Sequence, residues 1–163
     1  MRVFGVIGWK NAGKTTLMER LVAEITRRGF SVSTIKHAHH TFDVDHQGKD
    51  SWRHREAGAR EVLVAASQRW ALMSELRGAD EPALAELLAR MDPVDLVLIE
   101  GYKRDSHPKV EVHRAATGHP LIAPGDPTVR AIACDSALAT DRPLLDLDDI
   151  TAIADFIARD AGL

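Results

Sequence analysis

The chain has 163 residues, 45% apolar and 28% charged, with a formal net charge of −3. These figures fit an ordinary globular chain with core enough for one domain over residues 1–163. They exclude the strongly basic field with which many proteins attract duplex nucleic acid. A single cysteine, Cys134, excludes an intramolecular disulfide and a cysteine-based metal cluster. No apolar stretch approaches membrane-spanning length, and the amino terminus runs into a strand-like segment without a signal-peptide pattern. A cytoplasmic protein is expected, with neither membrane nor nucleic acid as its partner.

The first element is the apolar run Val3-Phe4-Gly5-Val6-Ile7, suited to a buried strand. Gly8-Trp9-Lys10-Asn11-Ala12-Gly13-Lys14-Thr15 follows, and Thr16 after it. It fills every fixed position of the phosphate-loop pattern, a glycine, four free positions, then Gly-Lys and a Ser or Thr. Glycines let the backbone curl so that the N–H groups of residues 8–16, Lys10, Asn11 and Ala12 among them, point at phosphate oxygens. A helix starting near Gly13 adds unpaired N–H groups and the positive end of its dipole. Lys14 is the candidate to reach the β- and γ-phosphates, and the Thr15 hydroxyl is a candidate magnesium ligand.

Apolar residues 17, 18, 21, 22 and 25 predict a helix from about Lys14 to Arg28, stopped by Gly29. Residues 30–35 alternate as a strand. Strand, helix, strand in that order imply a right-handed crossover and a parallel sheet. The polar, histidine-rich stretch 36–50 then leaves the carboxyl edge, where open parallel sheets bind ligands. It admits three readings. They are a transition-metal site of His37, His39, His40 and His46, a solvated loop, or a loop closing over nucleotide and contributing Asp45 or Asp50. The third is preferred, because a magnesium ion on Thr15 needs a carboxylate. A short helix is expected over 51–58, a hairpin from strands 61–66 and 69–73, and a helix opened by Pro82 that buries 83, 84, 87, 88 and 91.

Asp95-Leu96-Val97-Leu98-Ile99-Glu100-Gly101 predicts a buried parallel strand that delivers a carboxylate to the ligand edge. It resembles a Walker B strand, with Glu100 as a magnesium-holding acid. Tyr102-Lys103-Arg104 follow; the two cations suit either phosphate, a second anionic ligand or solvent. Residues 109–114 alternate as a strand, and 128–135 read as a late buried strand with Asp135 at its exit. Asp135 suits a purine edge and, equally, a turn cap. Residues 144–147 and an amphipathic helix over 148–161 close a chain without repeats or linkers.

Several segments together resemble the MobB family of molybdopterin-guanine dinucleotide biosynthesis proteins. They are the loop 8–16, Thr34-Ile35-Lys36-His37, the stretch Asp45 to Ser51, Ala57-Gly58-Ala59, and Leu98-Ile99-Glu100-Gly101-Tyr102-Lys103. The resemblance implies a three-layer α/β/α P-loop NTPase fold with a mostly parallel central sheet plus a β-hairpin. It implies a homodimeric, weakly active GTPase that binds Mg-GTP and assists a separate guanylyltransferase in attaching GMP to molybdopterin in molybdenum cofactor biosynthesis. Carried over by position, residues 8–16 bind phosphate; Thr15, Glu100 and Asp50 hold magnesium; and Lys14, Glu100 and Asp50 serve hydrolysis. Two features depart from related patterns. Trp9 stands where related dimeric P-loop ATPases carry an extra lysine, with Lys10 one place later, and no N-K-x-D guanine motif follows the late strands. Two other functions suit the same residues, a nucleotide-regulated carrier of the pterin and a small-molecule kinase.

Overall fold

The computed structural model describes residues 1–38 and 42–163. In chain order its strands and helices are β1 (Arg2–Gly8), α1 (Lys14–Arg27), β2 (Val32–Lys36), α2 (Asp50–Glu56), β3 (Glu61–Ala66) and β4 (Arg69–Ser74). There follow α3 (Leu84–Leu88), β5 (Leu96–Glu100), β6 (Lys109–His113), β7 (Val129–Cys134), β8 (Leu144–Asp146) and α4 (Ile150–Ala161). They form two compact units, one of Met1–His37 with Asp92–Leu163 and one of Ala38–Met91. Among the described residues no helix is long and apolar enough to cross a membrane.

The first unit is a six-stranded sheet in the order β2-β5-β1-β6-β7-β8, with every neighbouring pair parallel. Central β1 is flanked by β5 and β6, so all three carboxyl ends meet at one edge. One face of the sheet carries Phe4, Val6, Leu98 and Val112 against Leu17, Leu21 and Ile25 of α1 and Ile153 and Ile157 of α4. These are the helical positions that the 3.6-residue periodicity marks as buried. On the other face Ile7, Ile132 and Cys134 pack on Ala123, within a 3-10 turn at Ala123–Gly125. The parallel α/β sheet with an added hairpin agrees with the sequence expectation.

The far end of α1 is tied down. Arg28 donates to Asp155 Oδ1 at 2.6 Å and to the Thr151 carbonyl at 3.2 Å, while Arg20 donates to the Asp148 carbonyl at 2.6 Å. Glu24 accepts from both Arg27 and Arg28, and these cations hold its carboxyl at about 2.

Two of the element ends that differ from the periodicity have a visible cause. β2 starts at Val32 because Ser31 is engaged by Asp95, whose carboxylate accepts from the Ser31 N–H at 2.8 Å and hydroxyl at 2.7 Å. α3 is shorter than expected and buries only Leu84. Its last turn tightens, with Arg90 and Met91 donating three residues back, and Pro93 bars Asp92 from helical geometry. In the second unit β3 and β4 pair antiparallel from Glu61↔Ser74 to Ala66↔Arg69.

β6 is unusual in that one of its two buried faces is polar. Its second face carries Lys109, Glu111 and His113, all buried. Lys109 donates to the Thr128 hydroxyl at 2.7 Å and to the Asp105 carbonyl, and lies 3.6 Å from Asp126. Glu111 accepts from the Ile122 and Ala123 N–H groups at 2.8 to 3.0 Å. A buried charge satisfied this way fixes chain geometry, and removing either partner is costly.

Beside this strand the His107 ring packs against Gly5, with both ring nitrogens buried and unpartnered. Burial, with Lys109 nearby, lowers its affinity for a proton. The folded protein therefore binds fewer protons here than the unfolded chain, so stability is full above the ordinary histidine value of 6.5 and falls as pH drops below it. Urea midpoints between pH 7 and pH 5 should decline, and His107→Asn should flatten that decline. An unchanged slope in the variant would assign the acid sensitivity to other groups.

Candidate functional site

The loop between β1 and α1 is shaped by contacts that only glycine permits. A Cβ on Gly8 would stand 2.5 Å from the Val112 carbonyl oxygen of β6, and Gly13 has φ +101° at the helix N-terminus. Asn11, at φ +65°, takes the left-handed conformation that its residue type tolerates best after glycine. Inside this curl the Trp9 carbonyl accepts from Ala12 N at 3.3 Å and from Lys14 Nζ at 2.8 Å. No side chain caps α1, and no acidic residue lies in its first turn. Its leading N–H groups are therefore left for an anion.

Parallel pairing of β1 with β5 sets Val6 opposite Glu100, and Gly101 N donates to the Val6 carbonyl at 3.2 Å. This register carries the Glu100 carboxylate to the start of α1. There the Thr15 hydroxyl donates to Glu100 Oε1 at 3.4 Å, and Lys36 Nζ lies 3.8 Å from the same oxygen. Burial lowers the proton affinity of Lys14, Glu100 opposes that shift, and Lys103 and Lys36 add to it. Among the described residues no three His, Cys, Asp or Glu side chains converge as a metal cluster. Thr15 and Glu100 nevertheless suit magnesium, which takes one or two protein oxygens and completes its octahedron with water and phosphate.

The other sequence candidates fall as follows. Lys10, Ala12 and Thr16 lie on the loop and the first turn of α1. Asp50 is the first residue of α2 in the second unit. Asp45, in the same unit, accepts from Ser51 at 2.8 Å and stands 3.3 Å from Arg55, which also binds Asp43 and Glu75. That ion cluster occupies Asp45 structurally. His37 stacks on Tyr102 with ring centroids 4.4 Å apart. His39 and His40 of the histidine-rich stretch lie outside the described residues. Asp135 leaves β7 and accepts from Ala115 N at 3.0 Å, in the segment after β6 and not in the turn that follows β7. It also borders a cavity of about 340 Å³ with Cys134, Ser136, Leu144 and Asp146.

Three residues gain a place that periodicity could not assign. Arg114, beyond β6, lays its guanidinium along the loop, with Nε 3.2 Å from where a Gly13 Cβ would be and Nη1 3.6 Å from Asp135. The Trp9 indole N–H donates to the Pro120 carbonyl at 2.7 Å, and its ring stacks on His119 at 5.3 Å. Lys103 holds its ammonium 4.3 Å from the centroid of the same indole. The sequence hinted at Lys103 alone of these three, as a cation just past the acid-tipped strand.

A family profile described as molybdopterin guanine dinucleotide synthesis protein B matches residues 3–135. The molybdopterin-guanine dinucleotide biosynthesis adapter protein of Haemophilus influenzae is 43% identical over 158 residues, 95% of this chain and 86% of that protein. The protein of the same name from Escherichia coli is 43% identical over 154 residues, 93% and 88% of the two chains. Among solved structures, a MobB homologue from Bacillus stearothermophilus superposes with a TM-score of 0.69 at 28% identity, covering 99% of both chains. The match spans the loop, β5 and β6, the segments that build the site. The chain belongs to the MobB family, the molybdopterin guanine dinucleotide synthesis proteins B.

Proposed function

We propose that this protein binds a magnesium nucleoside triphosphate, hydrolyses it slowly, and acts as an adapter in molybdopterin-guanine dinucleotide formation. The reading rests on one observation above others: Thr15 of the phosphate loop faces the Glu100 carboxylate of the adjacent strand, with Lys14 in the curl between them. That set of groups suits phosphate and magnesium together. GTP is the nucleotide of choice because relatives at 43% identity are named for the guanine dinucleotide pathway. The pathway partners on this reading are molybdopterin or its molybdenum-bearing form and the guanylyltransferase that joins GMP to it.

The loop N–H groups and Lys14 would hold the β- and γ-phosphates. Thr15 and Glu100 would hold magnesium directly or through its water. A bound magnesium ion supplies charge neutralisation on the transferring phosphoryl group. Lys14 gives up its bond to the Trp9 carbonyl on binding and exchanges a neutral acceptor for an anionic one. Arg114 lies at the β6 side of the loop, away from Glu100, which suits the nucleoside end of the ligand. Slow turnover is the activity that the family resemblance implies.

A homodimer in the cytoplasm completes the reading. In the hairpin, Leu63 pairs with Leu72 across the strands, and these residues and Trp70 are 59%, 45% and 64% exposed. A contiguous apolar face of this kind suits a subunit contact.

Calorimetric titration with imidotriphosphate analogues of GTP and ATP, with and without Mg²⁺, should give magnesium-dependent binding that favours guanine. Equal binding, or a preference for adenine, would move the kinase alternative forward. Lys14→Ala should weaken binding between roughly ten- and a hundredfold, the loss expected for one charge-assisted phosphate contact, with melting temperature unchanged. Unaltered affinity would remove the loop from the site. In light scattering, Leu63→Glu with Leu72→Glu should convert a dimer to a monomer; a mass unaffected by the pair would place the interface elsewhere.

A further inference from the structure

Two lysines from distant parts of the chain meet at Trp9, the second residue of the phosphate loop. Lys14 donates to its carbonyl oxygen at 2.8 Å, and Lys103 sits over its ring, 4.3 Å from the centroid. The indole cannot drift, because its N–H is bonded to the Pro120 carbonyl and its ring is stacked on His119. Lys103 is held from its own side as well. It follows Glu100 through a tight turn in which Tyr102 has φ +49° and stacks on His37.

The direction of the ligand follows from the same strands. Glu100 and Thr15 mark the side of the loop that would hold magnesium, and with it the charge of the outer phosphates. Lys103 leaves the carboxyl end of β5 just past Glu100, whereas Arg114 follows β6 and the cavity at Asp135 lies beyond it, at the ends of β7 and β8. We infer that Lys103 is a second phosphate-binding lysine, which leaves the Trp9 ring to contact the terminal phosphate of a nucleoside triphosphate seated in the loop. This rests on the nucleotide reading of the site and adds to it a preference for triphosphate over diphosphate. An ammonium resting on an indole face is held by a weaker attraction than a phosphate oxygen offers, so the exchange runs toward the ligand. Partial burial lowers the proton affinity of Lys103, and its charge acts in the same sense on Lys14. An anion placed between the two cations relieves both effects.

The test compares imidotriphosphate analogues with the corresponding diphosphates, using GTP and ATP series with Mg²⁺ on the wild type, Lys14→Ala, Lys103→Ala and Lys103→Arg. Lys103→Ala should raise the Kd of the triphosphate analogue about tenfold, the loss of one terminal-phosphate contact, and that of the diphosphate less than about twofold. Lys103→Arg should recover most of the difference. Trp9→Leu, which removes the perch but keeps the lysine, should shift the ratio in the same direction by a smaller factor. An unchanged triphosphate-to-diphosphate ratio in Lys103→Ala overturns the inference, and so does an equal loss for both ligands. If the wild type binds while Lys14→Ala does not, that failure touches Lys103 alone. A wild type that binds neither ligand overturns the nucleotide reading and this inference together.

Discussion

The contact on which the site depends is that between Gly8 and the Val112 carbonyl. β1 ends against the backbone of β6 with no room for a side chain. The chain can leave the sheet there only by curling back, and that curl turns the N–H groups inward and starts α1 at Lys14. Parallel pairing on the other flank then sets Glu100 beside Thr15. A side chain at position 8 would push β1 away from β6 and lose the loop and the register at once.

β6 meets a second demand. A strand in the middle of a parallel sheet has both faces covered and usually answers with apolar residues throughout. Here one face holds Lys109, Glu111 and His113, and the cost of burying charge is offset by specific partners. Glu111 gathers two backbone N–H groups of the Ile122–Ala123 turn, and Lys109 gathers Thr128 and Asp126. Those partners fix the segment between β6 and β7, and that segment carries His119 and Pro120 to Trp9. The polar face of β6 therefore helps to position the loop from below.

This division explains what could be read from residues alone. The phosphate loop, the helix after it and the acid-tipped β5 are local patterns whose chemistry requires neighbours in sequence, and the structure has them in the expected places. Residues 109–114 read as an alternating strand, with no exposure assigned to either face. Period alone cannot tell a solvated polar face from a buried one whose partners lie elsewhere in the chain. The Trp9 perch was illegible for the same reason, since its indole is bonded to a carbonyl 111 positions away. Asp135 was open between a purine edge and a cap on the next turn, and its bond to Ala115 N, twenty residues earlier, is a partner that neither reading named. α3 fell short because apolar spacing outlasted the backbone: Pro93 sets a limit that periodicity does not see.

The anchoring of α1 has a consequence for how nucleotide state would be communicated. Arg20 and Arg28 clamp that helix to the start and body of α4, so it behaves as a fixed post rather than a lever. A change at the loop then has no route outward along the helix axis. It has two softer exits, the turn after β5 that bears Lys103 and the segment after β6 that meets the Trp9 ring. A partner able to sense the filled site would have to touch the carboxyl edge of the sheet, not its helical flank.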